Sequence, residues 1–353
     1  MTLPEVVLAV MWVGVSLYAV FGGADFGAGV WDLVAGNART GARQRELIEH
    51  SITPVWEANH VWLIFVLVVL WTGFPGAFAA IMTTLYVPLT AAAVGVILRG
   101  AGFAFRKSVR ELRARRAFGV TFALSSVLTP FFLGAAAGAV ASGRVPADPV
   151  DIDPFDAWVT PTSALGGTLA VATCAYLAAT FLAADADRQH DPMLADRYRR
   201  SGLAAAVGAG ALALGGIGVL HADAPILYDG LHGRGLPLVV ASAVGGLASV
   251  GLLTVRRYRK ARVAGVIAVA AVIWGWAASQ YPDLLAGELT IATGAGSRAT
   301  LTAMLVSLGV GTLLFAPALI ALLSLHVRGQ LGAHEATDPT LYRATTAARD
   351  QPR

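Results

Sequence analysis

The sequence predicts an all-α, polytopic membrane protein with about nine transmembrane helices. Of its 353 residues, 56% are hydrophobic and only 14% are charged, whereas about a quarter of the residues in an ordinary soluble domain are charged. The apolar residues also fall into runs of roughly 20, the length that a helix needs to cross the hydrocarbon of a bilayer. Because these runs are continuously apolar, they favour helices over barrel strands, in which apolar and polar residues would alternate.

The nine runs are separated by short polar connections. The first run has no basic segment before it and no small-residue cleavage site after it, so we expect a retained span and not a removable signal peptide. The division that follows is a single transmembrane helical domain over residues 1–326 and a polar cytoplasmic tail over 327–353, predicted to be disordered because it lacks apolar periodicity. The runs cover approximately residues 5–34, 51–71, 77–104, 117–141, 162–184, 201–220, 236–255, 263–280 and 300–326.

Lysine and arginine are unevenly divided between the two sides of the predicted membrane. With nine spans, 22 of the 26 basic residues fall in the connections after odd-numbered spans and in the tail, and only Arg144, Arg234 and Arg298 fall on the other side. Basic residues mark the cytoplasmic side, which predicts an outside N-terminus and a cytoplasmic C-terminus. The net charge of +4 is thus explained by topology, and we expect no nucleic-acid partner because the basic clusters lack interleaved aromatic residues.

Metal and disulfide chemistry have little support in the sequence. The single cysteine, Cys174, lies in an apolar run and excludes both a disulfide framework and a cysteine-based metal site. His60 has no second ligand at helical spacing, and a lone histidine is weak evidence for a metal or haem ligand. We therefore predict no metal bound by this chain.

Three charged residues lie inside predicted spans: Asp25, Glu57 and Arg99. Each costs about 2.5–3.5 kcal/mol on insertion scales, and such residues usually mark functional sites. Asp25 lies between Gly23 and Gly27, whose small-xxx-small spacing allows close helix approach and would bury the carboxylate against a neighbouring helix.

Glu57 and His60 are three residues apart, so a helix would place them on nearly the same face. With a span starting at residue 51, Glu57 would lie roughly 10 Å inside the helix, at a depth comparable with that of Asp25. One interpretation is a proton path from the cytoplasm; the other is a structural polar cluster joining spans 1 to 3. Arg99 is predicted to be structural or an ion-pair partner, with Asp25 and Glu57 as the candidate acids.

Three motifs stand out in the first third of the chain. They are Gly23-Ala24-Asp25-Phe26-Gly27-Ala28-Gly29, Pro54-Val55-Trp56-Glu57-Ala58-Asn59-His60-Val61-Trp62-Leu63 and Leu98-Arg99-Gly100, with Phe103 and Arg106. Together they resemble the signature of cytochrome bd oxidase subunit II. The resemblance is strong over residues 1 to about 106, and between 107 and 265 it rests on matching topology alone. A weaker similarity returns at Trp274-Gly275-Trp276 through Tyr281-Pro282 and Leu289-Thr290-Ile291-Ala292.

The resemblance implies a nine-helix subunit of a bacterial inner-membrane quinol oxidase that converts quinol and oxygen to quinone and water. It implies a heterodimer with a subunit I that carries two haems b and one haem d, while this chain ligates no haem. Small accessory membrane subunits, lipid and the quinol pool are further expected partners. Whether a quinone is bound in this subunit, and whether the donor is menaquinol or ubiquinol, stays open.

The resemblance also implies residue roles. Glu57 corresponds to an acidic site for proton delivery, and Asp25 to a second acidic site; His60 lies beside them on the predicted path, and Asn59 is assigned with Arg99 to a structural role. Trp62 falls where the family places an oxygen-access tryptophan. Many relatives have Asp at the position of Glu57 and Gln at that of His60, a change that preserves proton transfer but alters the hydrogen-bond network.

Two functions of other classes remain compatible with the sequence. A proton-coupled secondary transporter would use Asp25 and Glu57 at a helix break and would usually have inverted repeats, none of which is evident in the sequence. A structural membrane scaffold would bind lipid or quinone without conducting protons, and its turnover would be insensitive to neutralising Glu57.

Overall fold

The computed structural model describes residues 1–36, 41–52, 56–109, 111–150 and 153–327. The predicted tail from 328 onward therefore lies outside the described residues. The helices are α1 Leu3–Leu17, α2 Gly23–Leu33, α3 Ala42–Ile52, α4 Trp56–Gly73, α5 Pro75–Thr84, α6 Tyr86–Ser108, α7 Leu112–Ala141, α8 Pro161–Arg188, α9 Pro192–Asp223, α10 Pro225–His232, α11 Leu236–Thr254, α12 Tyr258–Gln280, α13 Ile291–Gly294 and α14 Arg298–Val327, with a π-helical turn at Tyr18–Gly22 and strands β1 Asp283–Leu285 and β2 Leu289–Thr290.

The described part of the chain contains eight helices long and apolar enough to cross a membrane, and a ninth span if one bent pair is counted. This confirms a multi-pass helical membrane protein with eight or nine candidate spans. Most predicted spans match one helix, although several helices are longer. The largest extension is in α9, which begins at Pro192, nine residues before the predicted start at 201.

The predicted span 77–104 is wrong in its boundaries, and residues 53–55 of the predicted span 51–71 lie outside the described residues. Residues 51 and 52 belong to α3, and α4 begins at Trp56. The stretch 75–84 forms a separate helix, α5, bent by 119° from α4, and the third span begins at Tyr86. Pro75 explains the break, because proline lacks an N–H and pushes the preceding residue out of the helical region; Phe74 has φ −138° and ψ 63°.

Two compact units make up the structure, Met1–Ser297 and Arg298–Arg353. In the second, the described part is helix α14, which contains Pro317. The division of the chain at residue 326 stays a prediction.

The core of the first unit lies around α2, where buried side chains of α2, α3, α6, α7 and α8 meet those of α9, α11 and α12. Trp31 donates its indole N–H to the carbonyl oxygen of Ala175 at 2.8 Å. This bond fixes the end of α2 against the middle of α8. The first span therefore runs through the centre of the unit and is not a peripheral anchor.

Asp223, the last residue of α9, binds the first turn of α8. Its carboxylate accepts hydrogen bonds from the backbone N–H and the hydroxyl of Thr162, at 3.0 and 2.6 Å, and forms an ion pair with Arg144. The acid thus satisfies an N–H that the first turn of a helix leaves unpaired. Further along, strands β1 and β2 form a short antiparallel hairpin before α13.

Candidate functional site

A π-helical turn interrupts the first span just before Asp25. Residues Tyr18–Gly22 form this turn between α1 and α2, and single π turns inside α-helices occur frequently at functional sites. Asp25 lies in the first turn of α2 and is 3% exposed. The π turn was not predicted from the sequence; the pair Gly22-Gly23 at its end is the only local signal that accompanies it.

Arg99 of α6 binds Asp25 through a forked contact. Its Nη2 lies 2.7 Å from Oδ1 of Asp25, and its Nη1 lies 3.1 Å from Oδ2. The same Nη2 also donates to the backbone carbonyl of Asp25 at 2.9 Å. Arg99 is 1% exposed. Two parallel N–H···O bonds between a guanidinium and a carboxylate give both strength and fixed orientation.

The remaining faces of the Arg99 guanidinium are also occupied. Its Nε donates to the hydroxyl of Ser126 on α7 at 2.9 Å, and the rings of Phe26 and Phe122 lie 4.9 and 4.8 Å from its central carbon. Hydrogen bonds and cation–π contacts therefore surround the cation. A buried ion pair is tolerated when its residual hydrogen-bonding capacity is met in this way, and here it joins α2, α6 and α7.

A second acid on α2 forms another ion cluster closer to the helix end. Asp32 binds Arg106 of α6 at 2.8 Å and Arg45 of α3 at 3.0 Å, and Arg106 also lies 3.5 Å from Glu49. The side chain of Asp32 is 4% exposed and that of Arg106 is 12% exposed. This cluster is therefore closer to water than the pair of Asp25 and Arg99.

The two ion pairs form a ladder between α2 and α6. Asp25 and Asp32 are seven residues apart, as are Arg99 and Arg106, and seven residues are about two helical turns. Since residue numbers increase in the same direction on both sides of the ladder, α2 and α6 run parallel, as the first and third spans of a serpentine chain must. The shared spacing is visible in the sequence, but the prediction concerned only Arg99, with Asp25 and Glu57 as its candidate partners, and did not include Asp32 or Arg106.

Two glycines allow α2 to approach its neighbours at the level of the ladder. A Cβ on Gly27 would lie 1.8 Å from the carbonyl oxygen of Cys174 on α8, and one on Gly29 would lie 2.2 Å from Oγ of Ser126 on α7. Neither distance is compatible with a side chain. The glycines thus bring the backbone of α2 close enough for its carboxylates to be buried.

Helix α4 carries the remaining predicted site residues. Asn59 is 3% exposed, and its Nδ2 donates to the carbonyl oxygen of Phe21 in the π turn at 3.3 Å. His60 is half-buried next to it. Trp62 is also half-buried and makes an edge contact with Phe65, with ring centroids 6.3 Å apart. Asn59 therefore links α4 directly to the turn that precedes Asp25.

Glu57 is the second residue of α4, but its side chain lies outside the described part of the structure. The expected depth of roughly 10 Å assumed a helix beginning at residue 51. Because residues 53–55 lie outside the described residues, this depth stays a prediction. The predicted contacts of Glu57 with His60, Asp25 and Arg99 also stay predictions.

Among the described residues there is no group of three or more His, Cys, Asp or Glu side chains that would hold a metal ion.

Comparison with protein families decides the classification. The model for "Cytochrome bd terminal oxidase subunit II" matches residues 3–326. The chain belongs to this family. The match includes the stretch between 107 and 265, in which no motif of the family was recognised. The predicted resemblance is thereby confirmed.

Curated relatives of this subunit II chain match a smaller part of it. The chain is 31% identical over 143 residues to cytochrome bd-I ubiquinol oxidase subunit 2 of Escherichia coli strain K12, covering 39% of this chain and 37% of the relative. It is 28% identical over 129 residues to cytochrome bd ubiquinol oxidase subunit 2 of Bacillus subtilis, covering 36% of each. The matched segments therefore span little more than a third of these relatives.

The structural similarity is more extensive. A chain in the structure of bd oxidase from Geobacillus thermodenitrificans superposes with a TM-score of 0.72 at 26% identity, covering 92% of this chain and 99% of that one. The two chains thus share their architecture along nearly the whole length.

Proposed function

We propose that this chain is subunit II of a cytochrome bd-type quinol oxidase in the bacterial cytoplasmic membrane. It pairs with a haem-bearing subunit I, which oxidises quinol and reduces oxygen to water and holds two haems b and one haem d. Subunit II supports that partner and supplies protons from the cytoplasm. Family membership and the superposition on a bd oxidase support this assignment, and the distribution of basic residues supports an outside N-terminus.

The observation that carries the proton role is the buried pair of Asp25 and Arg99, with side chains 1% and 2% exposed. Charges inside a membrane are costly and usually functional. The guanidinium offsets the charge of Asp25 and fixes its position, so this acid sets the local field while another group moves the proton.

The mobile proton is assigned to Glu57, with His60 one turn further along the same helix. A carboxylate at the start of α4 accepts a proton from cytoplasmic water and releases it toward the partner, and the imidazole at residue 60 relays it. Asn59 links α4 to the π turn that precedes Asp25, the acid toward which the proposed path leads. The proton supplied here is one of those consumed when oxygen is reduced.

Oxygen access is assigned to Trp62. Its half-buried ring, packed edge-on against Phe65, gives an apolar surface on the same helix as the proton groups. An apolar route suits oxygen, which has no charge and no hydrogen-bonding requirement.

The assignment is tested by purifying a tagged chain from its native membrane in mild detergent. We expect a second large polytopic subunit to be recovered with it, and haem b and haem d bands in the reduced-minus-oxidised spectrum. A solitary chain without haem, obtained in good yield, would overturn the proposal and favour the proton-coupled transporter.

The proton role is tested in the same complex by Glu57→Gln. We expect oxygen-dependent quinol oxidation to slow by about 100-fold or more, in the range typical of a lost acid–base group, with the haem spectrum retained. Glu111→Gln, at an exposed carboxylate just before α7, is the matched control and should retain full turnover. Wild-type turnover in Glu57→Gln would favour the scaffold function instead.

A further inference from the structure

A cavity of about 400 Å³ leads from Asp25 toward the end of α8. Its inner part is lined by Ala24, Asp25 and Ala28 of the first span, together with Ala178 and Leu182 of α8. These inner walls are small and apolar apart from Asp25, the charged residue among them.

The outer end of the cavity is strongly polar. Asp185 forms an ion pair with Arg188 on the same helix and lies 3.7 Å from Arg262 of α12; the guanidinium of Arg262 also stacks on the ring of Phe181 at 3.8 Å. The side chain of Arg188 is 66% exposed, whereas that of Asp185 is only 14% exposed. The cavity thus opens to solvent near the exposed Arg188. The carboxylate of Asp185 at this end is mostly buried and is held by arginine side chains.

A buried hydroxyl in the wall favours water inside this cavity. Ser51 of α3 lines it beside His50, and the Oγ of Ser51 is buried without a hydrogen-bond partner within the described residues. Burying an unsatisfied hydroxyl is unfavourable, and a cavity of sufficient size with polar residues in its wall relieves this by holding water. At roughly 30 Å³ per molecule, the volume accommodates on the order of ten waters.

We infer that this cavity is a hydrated vestibule that conducts protons from the cytoplasmic end of α8 to the level of Asp25 in the membrane, with Asp185 as the proton-collecting group at its mouth. The inference rests on the proposed proton role and adds its entrance. A proton from bulk water binds the carboxylate of Asp185, passes to cavity water and moves inward, and Asp185 returns to its ionised form. His50, Arg188 and Arg262 are the other ionisable groups at this end.

Hydration is tested by cysteine accessibility in the intact complex, with Cys174→Ala as the background. Ala178 lines the cavity, whereas the adjacent Ala179 is equally buried and does not. A thiol reacts as its thiolate, which forms where water is present. With a cationic methanethiosulfonate applied from the cytoplasmic side, we expect Ala178→Cys to react at least about tenfold faster than Ala179→Cys, which is exposed only by local opening.

A second pair of cysteine variants keeps the test decisive if a variant of the first pair fails to assemble. Leu182 lines the cavity and Leu177 does not, and both are buried in α8. Leu182→Cys should react faster than Leu177→Cys by a similar factor. Equal rates within both pairs would overturn the hydrated vestibule.

The proton-collecting role is tested by Asp185→Asn. We expect turnover and proton uptake to fall severalfold with the haem spectrum unchanged, and Asp185→Glu to restore both. Asp187→Asn, two residues along and exposed, should behave as wild type. Full activity of Asp185→Asn would overturn the assignment of Asp185. If Asp185→Asn is inactive in turnover but Glu57→Gln is not, the proposed path through Glu57 fails while the vestibule stands; the reverse result rejects only the vestibule.

Discussion

The interface around α2 and the exposed faces of the pair α9 and α11 differ in burial and in the contacts that their glycines make. Helix α8 packs on α2, and 61% of its most apolar stretch of 18 residues is buried inside the protein. The same fraction is only 6% for α9 and 11% for α11. Around α2, glycines contact neighbouring backbone and side chains. On the outer helices, glycines such as Gly208 and Gly246 have nothing within 4 Å of the position that a Cβ would occupy.

This contrast separates two requirements that look alike in an apolar sequence. An outer helix needs only length and hydrophobicity, since its exposed face makes no specific contact within the described part of the chain. The α2 interface must place two acids and their arginines within hydrogen-bonding distance, which demands close backbone approach and ring contacts at defined positions. Substitutions should therefore be costly around α2 and mild on the exposed faces of α9 and α11.

The largest expected effect comes from removing the inner arginine of the ladder. Arg99→Met leaves Asp25 buried without a counter-charge, and we expect a loss of about 3–5 kcal/mol in the free energy of unfolding. The measurement is the detergent-induced unfolding of the purified complex, followed by tryptophan fluorescence. Arg144→Met is the control, because the side chain of Arg144 is 41% exposed and an exposed pair contributes about 0–1 kcal/mol.

A double variant distinguishes charge from shape at this position. Arg99→Met combined with Asp25→Leu removes both charges, and replacing a whole buried ion pair by apolar groups is often neutral for stability. We expect most of the loss to be recovered, which gives a large coupling energy in the double-mutant cycle. Additive losses would show that the two side chains do not interact as the geometry indicates.

The next effect concerns glycine. Gly27→Ala would place a methyl group 1.8 Å from the carbonyl oxygen of Cys174, so α2 and α8 must separate; we expect a loss of about 3 kcal/mol, the upper end for overpacking. Gly208→Ala has open space and should leave stability unchanged or slightly raised, because alanine favours helices. Equal midpoints for the two variants would contradict the contrast between the regions.

Much of this organisation followed from the sequence, for identifiable reasons. Hydrophobic run length predicts spans because lipid requires them, and the Gly23 and Gly27 spacing marked the helix that approaches its neighbours most closely. The bend at Pro75 was missed because the residues on both sides of it are apolar. Hydropathy gives no information about the direction in which the helix axis runs. The π turn and the vestibule depend on how three or four helices meet, and no local pattern encodes that.

The outer pair of the ladder should matter less than the inner one. Asp32→Asn weakens contacts with Arg106 and Arg45, whose side chains are 12% and 24% exposed and can turn to water. We expect a loss of about 1.5 kcal/mol, the lower end for hydrogen bonds to charged groups, in the same unfolding measurement. Glu49→Gln, at the 3.5 Å contact with Arg106, should cost less still. A loss at Asp32 that equals the loss at Arg99 would mean that depth in the ladder is irrelevant.

The smallest change in stability is expected at Trp62, where the effect should be kinetic. Trp62→Gln places a polar amide on the proposed oxygen route, and an apolar gas enters a hydrated route less readily. The KM for oxygen should rise severalfold while kcat at saturating oxygen is kept, the pattern expected when a contact common to ground and transition states is lost. Trp71→Gln is the control on the same helix, since Trp71 is 64% exposed and stacks on Phe78. If both variants keep the wild-type KM for oxygen, oxygen reaches the partner by a route that bypasses this face of α4, and the role of α4 reduces to holding the proton groups beside the π turn.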